Sequence, residues 1–169
     1  MKPEQFLESF VEWNLADCFD QPGDIRRAFN AAVSISHLAD HYYFHSKRHQ
    51  PRLVAAFRDI GDFVAHLSSQ TAGGFGDVRS MSNVYKHLYT DQGRLAKYSS
   101  INSCGSIESI HLGDDEALMR LEEQYLQRGE RDARMRVVVT RKDGTQVEVL
   151  PILEAVVELF RGLVYPPSA

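Results

Sequence analysis

The stretch DIRRAFNAAVSISHLADHYYFHSKRH, residues 24–49, decides the fold of this chain. Its apolar residues recur at steps of three and four, which is the spacing of one face of an α-helix. Asp24 is suited to cap such a helix, and Pro51 interrupts the pattern after about Lys47. The stretch predicts a long amphipathic helix. Its apolar side carries Ile25, Phe29, Ala32, Ile35, Ala39, Tyr42 and Tyr43, and its polar side carries Arg27, Asn30, Ser34, His37, His41, His45 and Arg48.

Further helices are predicted on both sides of this one. Apolar periodicity indicates helices over residues 3–17, 52–68 and about 116–128, and a fourth-helix segment over 77–90 with Asp77 as its cap. The aromatic residues of these helices, Trp13, Tyr85 and Tyr89 among them, fall at helical spacing, which favours core packing.

The clearest β signal lies near the end of the chain. RMRVVVT and QVEVL flank an Asp-Gly turn, which is typical of a β-hairpin. Pro151 then opens a final apolar helix, whereas the serine-rich residues 97–113 read as loop or short strands. We expect a mainly α protein, a bundle of about five to six helices, forming a single domain over 1–169 with a hairpin at about 135–150.

Composition limits the classes of function. The chain has 169 residues, a formal net charge of −4 and a pI near 6.0, so there is no overall electrostatic reason to bind nucleic acid. Cys18 and Cys104 are far apart and indicate neither a disulfide scaffold nor a cysteine zinc site. No run is long and apolar enough to cross a bilayer, and Glu4, Glu8 and Glu12 break any signal-peptide core. We therefore expect a cytoplasmic protein that does not enter membranes.

Four of the seven histidines form a row at steps of four, His37, His41, His45 and His49, which we call the histidine row. Each such step drifts only about 40° around a helix, so the row follows the side opposite the apolar face. It is a solvated polar face, a recognition surface or part of a metal site. A metal site needs ligands from other elements, and the sequence offers no convincing set, so neither a metal nor another cofactor is predicted.

Asp40 stands at the edge of the apolar face. A carboxylate there requires a cationic or hydrogen-bonding partner. We expect either plain structural pairing or a role in orienting a basic residue of the fourth helix.

The fourth helix carries a polar arc of its own. Arg79, Asn83, Lys86 and His87 share the side opposite its apolar residues. Arginine and lysine can neutralise a phosphate, and histidine can move a proton near neutral pH, so the arc is a candidate catalytic surface for a phosphodiester. A plain solvent face contains the same residue types.

The helix FNAAVSISHLADHYYFH, a following helix and then SNVYKH resemble the HEPN-like superfamily, the higher eukaryotes and prokaryotes nucleotide-binding domains. The resemblance covers residues 24–90 and implies a compact helical bundle that often dimerises and in many members cleaves RNA without metal. Asn83 and His87 match the family motif, but Ser82 stands where active members carry arginine. Small bacterial proteins with this helix pair and a terminal hairpin plus helix are also similar.

Three functions follow as hypotheses. The missing arginine and the acidic charge favour a binding or interaction module, with a toxin–antitoxin or defence setting implied by the resemblance, and with the hairpin as an edge for strand pairing. The alternatives are a metal-independent ribonuclease using His87 and a histidine-rich metal-binding bundle. The expected partners are a second copy of the chain, an RNA or a protein.

Overall fold

The protein is described from a computed structural model, whose described residues are 1–91, 99–111 and 135–166. The prediction of a mainly α protein with a small late β element is confirmed. The helices are α1 (Pro3–Phe6), α2 (Glu12–Asp20), α3 (Ile25–His49), α4 (Ile60–Gln70), α5 (Gly74–His87) and α6 (Val149–Val164). The strands are β1 (Ile107–His111), β2 (Met135–Thr140) and β3 (Gln146–Glu148).

The N-terminal rod is helical without interruption. A π-helical stretch, Leu7–Val11, joins α1 to α2, and Pro3 occupies the first helical position, where its missing N–H costs nothing. The rod is tied to α6 by Arg161, whose Nε and Nη2 donate to the two oxygens of Glu12 at 2.9 and 2.6 Å. A second tie is the Tyr165 hydroxyl, which donates to Glu8 and whose pKa this bond raises to about 12.

Helix α3 begins where the sequence predicts. The Asp24 carboxylate accepts hydrogen bonds from the backbone N–H groups of Arg26 and Arg27, which satisfies donors left free at a helix start. The helix runs the full predicted length, and its buried side contains many alanines and serines, whose small size lets neighbouring helices approach closely. It contacts the N-terminal rod, α4, α5 and α6.

Two of the predicted helix starts are wrong. The region 52–68 is not one helix: Pro51–Val54 form a short 3-10 turn, and α4 begins at Ile60 because the Asp59 carboxylate caps it through the N–H of Asp62. Helix α5 begins three residues before Asp77. That aspartate is therefore no cap, and its side chain is 1% exposed and paired with Arg141.

The end of α5 also differs from the prediction. The helix stops at His87 rather than near Thr90, because Leu88 has φ 64° and ψ −45° and the Tyr89 N–H donates back to the His87 carbonyl at 2.8 Å. This three-residue turn is rare and strained for a residue with a side chain. It directs Leu88 and Tyr89 outward.

The β element is larger than a hairpin. The predicted hairpin forms from β2 and β3, although β3 ends at Glu148 rather than Leu150. Part of the serine-rich segment, expected to be loop or short strands, supplies β1, and the sheet order is β1-β2-β3, antiparallel throughout. Strand β2 is central and mostly buried, so it offers no free edge for a partner strand. Helix α6 starts at Val149, directly after β3 and two residues before Pro151. The helix predicted over about 116–128 lies outside the described residues.

The sheet is attached to the bundle at the turn before α3. The N–H of Val137 donates to the carbonyl of Pro22 at 3.0 Å. A side chain at Gly23 would meet the Cβ of Met135 at 2.3 Å, so glycine is required there for the turn to approach the strand. Within the described residues, no helix is long and apolar enough to cross a membrane.

One buried ion pair joins the bundle to the hairpin. The Nε and Nη2 of Arg141, in the turn after β2, donate to both oxygens of Asp77 at 2.5–3.1 Å. Arg58 and Asp62 form a similar two-point contact on the surface, where the Arg58 side chain is 85% exposed.

We expect Asp77→Ala to lower the free energy of unfolding by about 2–3 kcal/mol, because it leaves a guanidinium without its carboxylate in a largely buried place. Arg58→Ala, the matched control, should cost less than about 1 kcal/mol because its pair is exposed to water. Urea unfolding followed by circular dichroism measures both values. Equal losses in the two variants would contradict this interpretation of the buried pair.

Candidate functional site

The polar side of α3 is the floor of a groove, which we call the α3 groove. Its volume is about 1030 Å³. One wall comes from the N-terminal rod and the other from α5. The lining residues are Met1, Phe6, Phe10, Asn14, Asn30, Val33, Ser34, His37, Asp40, His41, Phe44, His45, Arg48, His49 and Tyr85.

The wall on the side of the N-terminal rod is aromatic. The rings of Phe6 and Phe10 lie 5.1 Å apart, and Phe6 stacks on the imidazole of His41 at 5.2 Å. The Nε2–H of His41 donates to the Met1 carbonyl at 2.8 Å. Ring stacking and this hydrogen bond hold the first residues of the chain against the middle of α3.

The opposite wall is Tyr85, whose ring lies 5.4 Å from that of Phe29 on α3. Arg79 lies about one and a half turns before Tyr85 in α5. Its guanidinium contacts Ser36 and Asp40, which come after Phe29 in α3. The two helices therefore run antiparallel. Tyr85 is 59% exposed and contributes its free face to the groove.

The aromatic lining is the part of the groove that the sequence analysis missed. Tyr42 and Tyr43 are buried as expected, but Trp13, Tyr85 and Tyr89 are 59–71% exposed, so the expectation of core packing is wrong for these three. Phe10 and Phe44 are also about half exposed. One residue in the sequence could have indicated these exposed aromatic rings. Phe44 lies within the polar histidine row rather than on the apolar face.

The histidine row follows the groove along its length, as the opposite-face placement predicts. His37 and His49 are exposed, whereas His41 and His45 are half-buried. Ring centroids are 6.1 Å apart for His41 and His45 and 4.6 Å apart for His45 and His49. Within the described residues, no group of three or more His, Cys, Asp or Glu side chains is placed to hold a metal ion.

The position of His45 in the row changes its acidity. Burial lowers the pKa of His45, and the neighbouring imidazoles of His49 and His41 lower it further, because a second positive charge nearby is unfavourable. The neutral form of this side chain is therefore favoured at pH 7 more strongly than in an ordinary histidine.

Asp40 pairs with a cation of α5, the helix that the sequence analysis counts as the fourth, as predicted. The Nη1 of Arg79 lies 3.0 Å from Oδ1 of Asp40. The same Nη1 donates to the carbonyl and the hydroxyl of Ser36, each at 3.2 Å, so the contact with Asp40 is electrostatic and lacks a well-directed hydrogen bond. Arg79 is thus held between α3 and α5 by structural contacts.

The predicted catalytic residues do not assemble in the groove. Asn83 is half-buried, and Lys86 and His87 are exposed near the end of α5. None of these three lines the groove. Arg79 does not line the groove and contacts its lining only at Asp40. The histidine row and the polar arc of α5 therefore do not form one shared pocket.

No family model, no curated protein and no solved structure matches the chain.

The lowered pKa of His45 predicts a pH dependence of stability. The unfolded chain binds a proton at this imidazole more readily than the folded chain, so stability should fall as the pH drops through about 6.5 and below. His45→Gln removes this imidazole and should flatten the loss of melting temperature between pH 7.5 and pH 5. His66→Gln, on the exposed side of α4, is the control and should leave the pH profile unchanged. Identical profiles for wild type and His45→Gln would refute the assignment.

Proposed function

We propose that the protein is a binding module and that its α3 groove receives an acidic amphipathic helix from a protein partner. The observation that carries the proposal is a long groove with a floor of imidazoles and one arginine, walled by half-exposed aromatic rings. Exposed apolar surface rimmed by polar groups is typical of an interaction site.

The dimensions of the groove favour a helix. Its floor extends along α3 from Asn30 to His49, which at 1.5 Å per residue is a length of about 28 Å, or a helix of about 19 residues. Phe10 and Phe44 lie where apolar residues of an inserted helix would make contact. Helices that bind in grooves use such anchors at steps of three and four.

The backbone around the groove argues against a strand as the occupant. The floor and both walls are side chains of helices, whose backbone N–H and C=O groups are already bonded within each helix. A strand entering the groove would find no backbone partners and would leave its own polar groups unsatisfied. A helix arrives with its backbone bonds complete.

The charge of the groove favours an acidic occupant. Asp40 is the only carboxylate among the lining residues, and the Arg79 guanidinium compensates its charge. Arg48 adds a permanent positive charge, and the N–H groups of the imidazoles can donate hydrogen bonds to carboxylates. Glutamates or aspartates at steps of four would match the spacing of the histidine row.

An RNA occupant is less well supported. Arg48 is the only lysine or arginine among the lining residues, whereas binding of nucleic acid draws most of its strength from several such contacts with phosphates. The ribonuclease alternative at Asn83 and His87 remains a prediction, as do the HEPN-like resemblance and the toxin–antitoxin or defence setting. Lys86 and His87 are exposed, and Arg79 is engaged elsewhere.

The test uses two designed amphipathic peptides of about 20 residues, one with glutamate at every fourth position of its polar edge and one with lysine instead. We expect the glutamate peptide to bind at least about tenfold more tightly, since like charges facing each other across an interface are strongly unfavourable. Fluorescence anisotropy with the full chain measures both affinities. Equal binding of the two peptides, or no binding of either, would overturn the proposal.

Two matched pairs of variants locate the site. Arg48→Glu should abolish the preference for the glutamate peptide. Lys47 is the neighbouring exposed cation and lies outside the groove lining, so Lys47→Glu should keep that preference. Phe44→Ala should weaken binding, and Leu53→Ala, similarly exposed but outside the groove, should not.

Other occupants give different results. Dimerisation that rises with concentration in light scattering and that Phe44→Ala abolishes would assign the groove to a second copy of the chain. Binding or cleavage of an RNA oligonucleotide that depends on His87 and not on Arg48 would support the ribonuclease alternative and count against the helix.

A further inference from the structure

A second cavity, distinct from the α3 groove, lies where the chain start, the end of α3 and the end of α6 meet. We call it the terminal pocket; its volume is about 450 Å³, within the usual size of small-molecule sites. His45 lines both the groove and the pocket.

One side of the terminal pocket is polar. Glu4, Tyr42, His45, Ser46 and Gln50 contribute to it. The Oε2 atom of Glu4 is buried and, among the described residues, has no hydrogen-bond partner. A buried carboxylate oxygen without a donor is costly, so this atom is available to accept a hydrogen bond from a ligand.

Two further polar side chains that line the same space, Tyr42 and Ser46, are hydrogen-bonded to each other. Ser46 is 2% exposed and Tyr42 is 5% exposed, so both are held firmly by packing. Burial raises the pKa of Tyr42, and its hydroxyl therefore stays protonated. Hydroxyl groups and the amide oxygen of Gln50 can also accept hydrogen bonds, more weakly than a carboxylate.

The opposite side of the pocket is aliphatic. It is formed by Pro3, Leu53, Leu163, Val164 and Pro166. Since no aromatic face stands on this side, the apolar part of a ligand would be an alkyl chain or a small saturated ring. Burial of such a chain would stabilise the complex in proportion to its apolar area.

We propose that the terminal pocket binds a small primary amine with a short aliphatic chain, its ammonium group donating to Glu4. An ammonium has three donors, which matches one carboxylate oxygen together with neighbouring hydroxyl and amide oxygens. A guanidinium prefers two oxygens of one carboxylate, whereas here a single oxygen of Glu4 is buried and unpartnered. The lowered pKa of His45 favours the neutral form of its imidazole at pH 7, in which it does not compete as a cation.

The test compares n-hexylamine with its neutral counterpart n-hexanol, each titrated into the full chain at pH 7.5 and followed by NMR. We expect the amine to bind at least about tenfold more tightly, because the alcohol cannot supply the charged donor. Glu4→Gln keeps the shape of the side chain and should reduce the affinity for the amine to that for the alcohol. Glu108→Gln, exposed on β1 and outside the pocket lining, should leave the affinity for the amine unchanged.

A second variant covers the case in which Glu4→Gln does not fold. A Cβ added at Gly162 meets no atom within 4 Å, and this residue lines the pocket. Gly162→Leu should therefore fold and block binding of both probes. Equal affinities for amine and alcohol, no binding of either, or full amine binding by Glu4→Gln or Gly162→Leu would overturn the proposal. None of these results involves the peptides that test the groove.

Discussion

The close packing of α3 against its neighbours on one side is the constraint on which the rest of the structure depends. Its buried side is rich in alanine and serine, so the N-terminal rod and α5 approach it closely and stand on either side of the remaining face. The N-terminal rod and α5 thus form the two walls of the α3 groove, and the uncovered side of α3 forms its floor. The groove exists because α3 is long and because its neighbours cover its apolar side fully but its polar side only in part.

The sequence predicts those parts of the fold that rest on local signals. Asp24 caps α3 through adjacent backbone groups, and the Asp-Gly turn of the hairpin needs only its own residues, so both were identified. Asp77 has the residue type of a cap, but its partner Arg141 lies 64 positions further along the chain. No local pattern reveals such a pair, and the start of α5 was misplaced for that reason.

The candidate site also contains features that local sequence patterns predict and features that they do not. Helical periodicity placed the histidine row on the face away from the core, and the edge position of Asp40 indicated a cationic partner that proved to be Arg79. The aromatic walls were missed because amphipathic periodicity cannot show which neighbour covers a face. Phe6 reaches His41 from more than 30 positions away and Phe10 packs on Phe6, while Tyr85 of α5 is 59% exposed.

The most direct measurement of the central claim is an NMR map of the full chain as the glutamate-bearing amphipathic peptide is added. If the uncovered side of α3 is the binding surface, the largest changes in chemical shift fall on Val33, His37, Phe44 and Arg48, and Lys86 and His87 at the end of α5 remain unaffected. Changes confined to the end of α5, with the signals of α3 unmoved, would contradict the account.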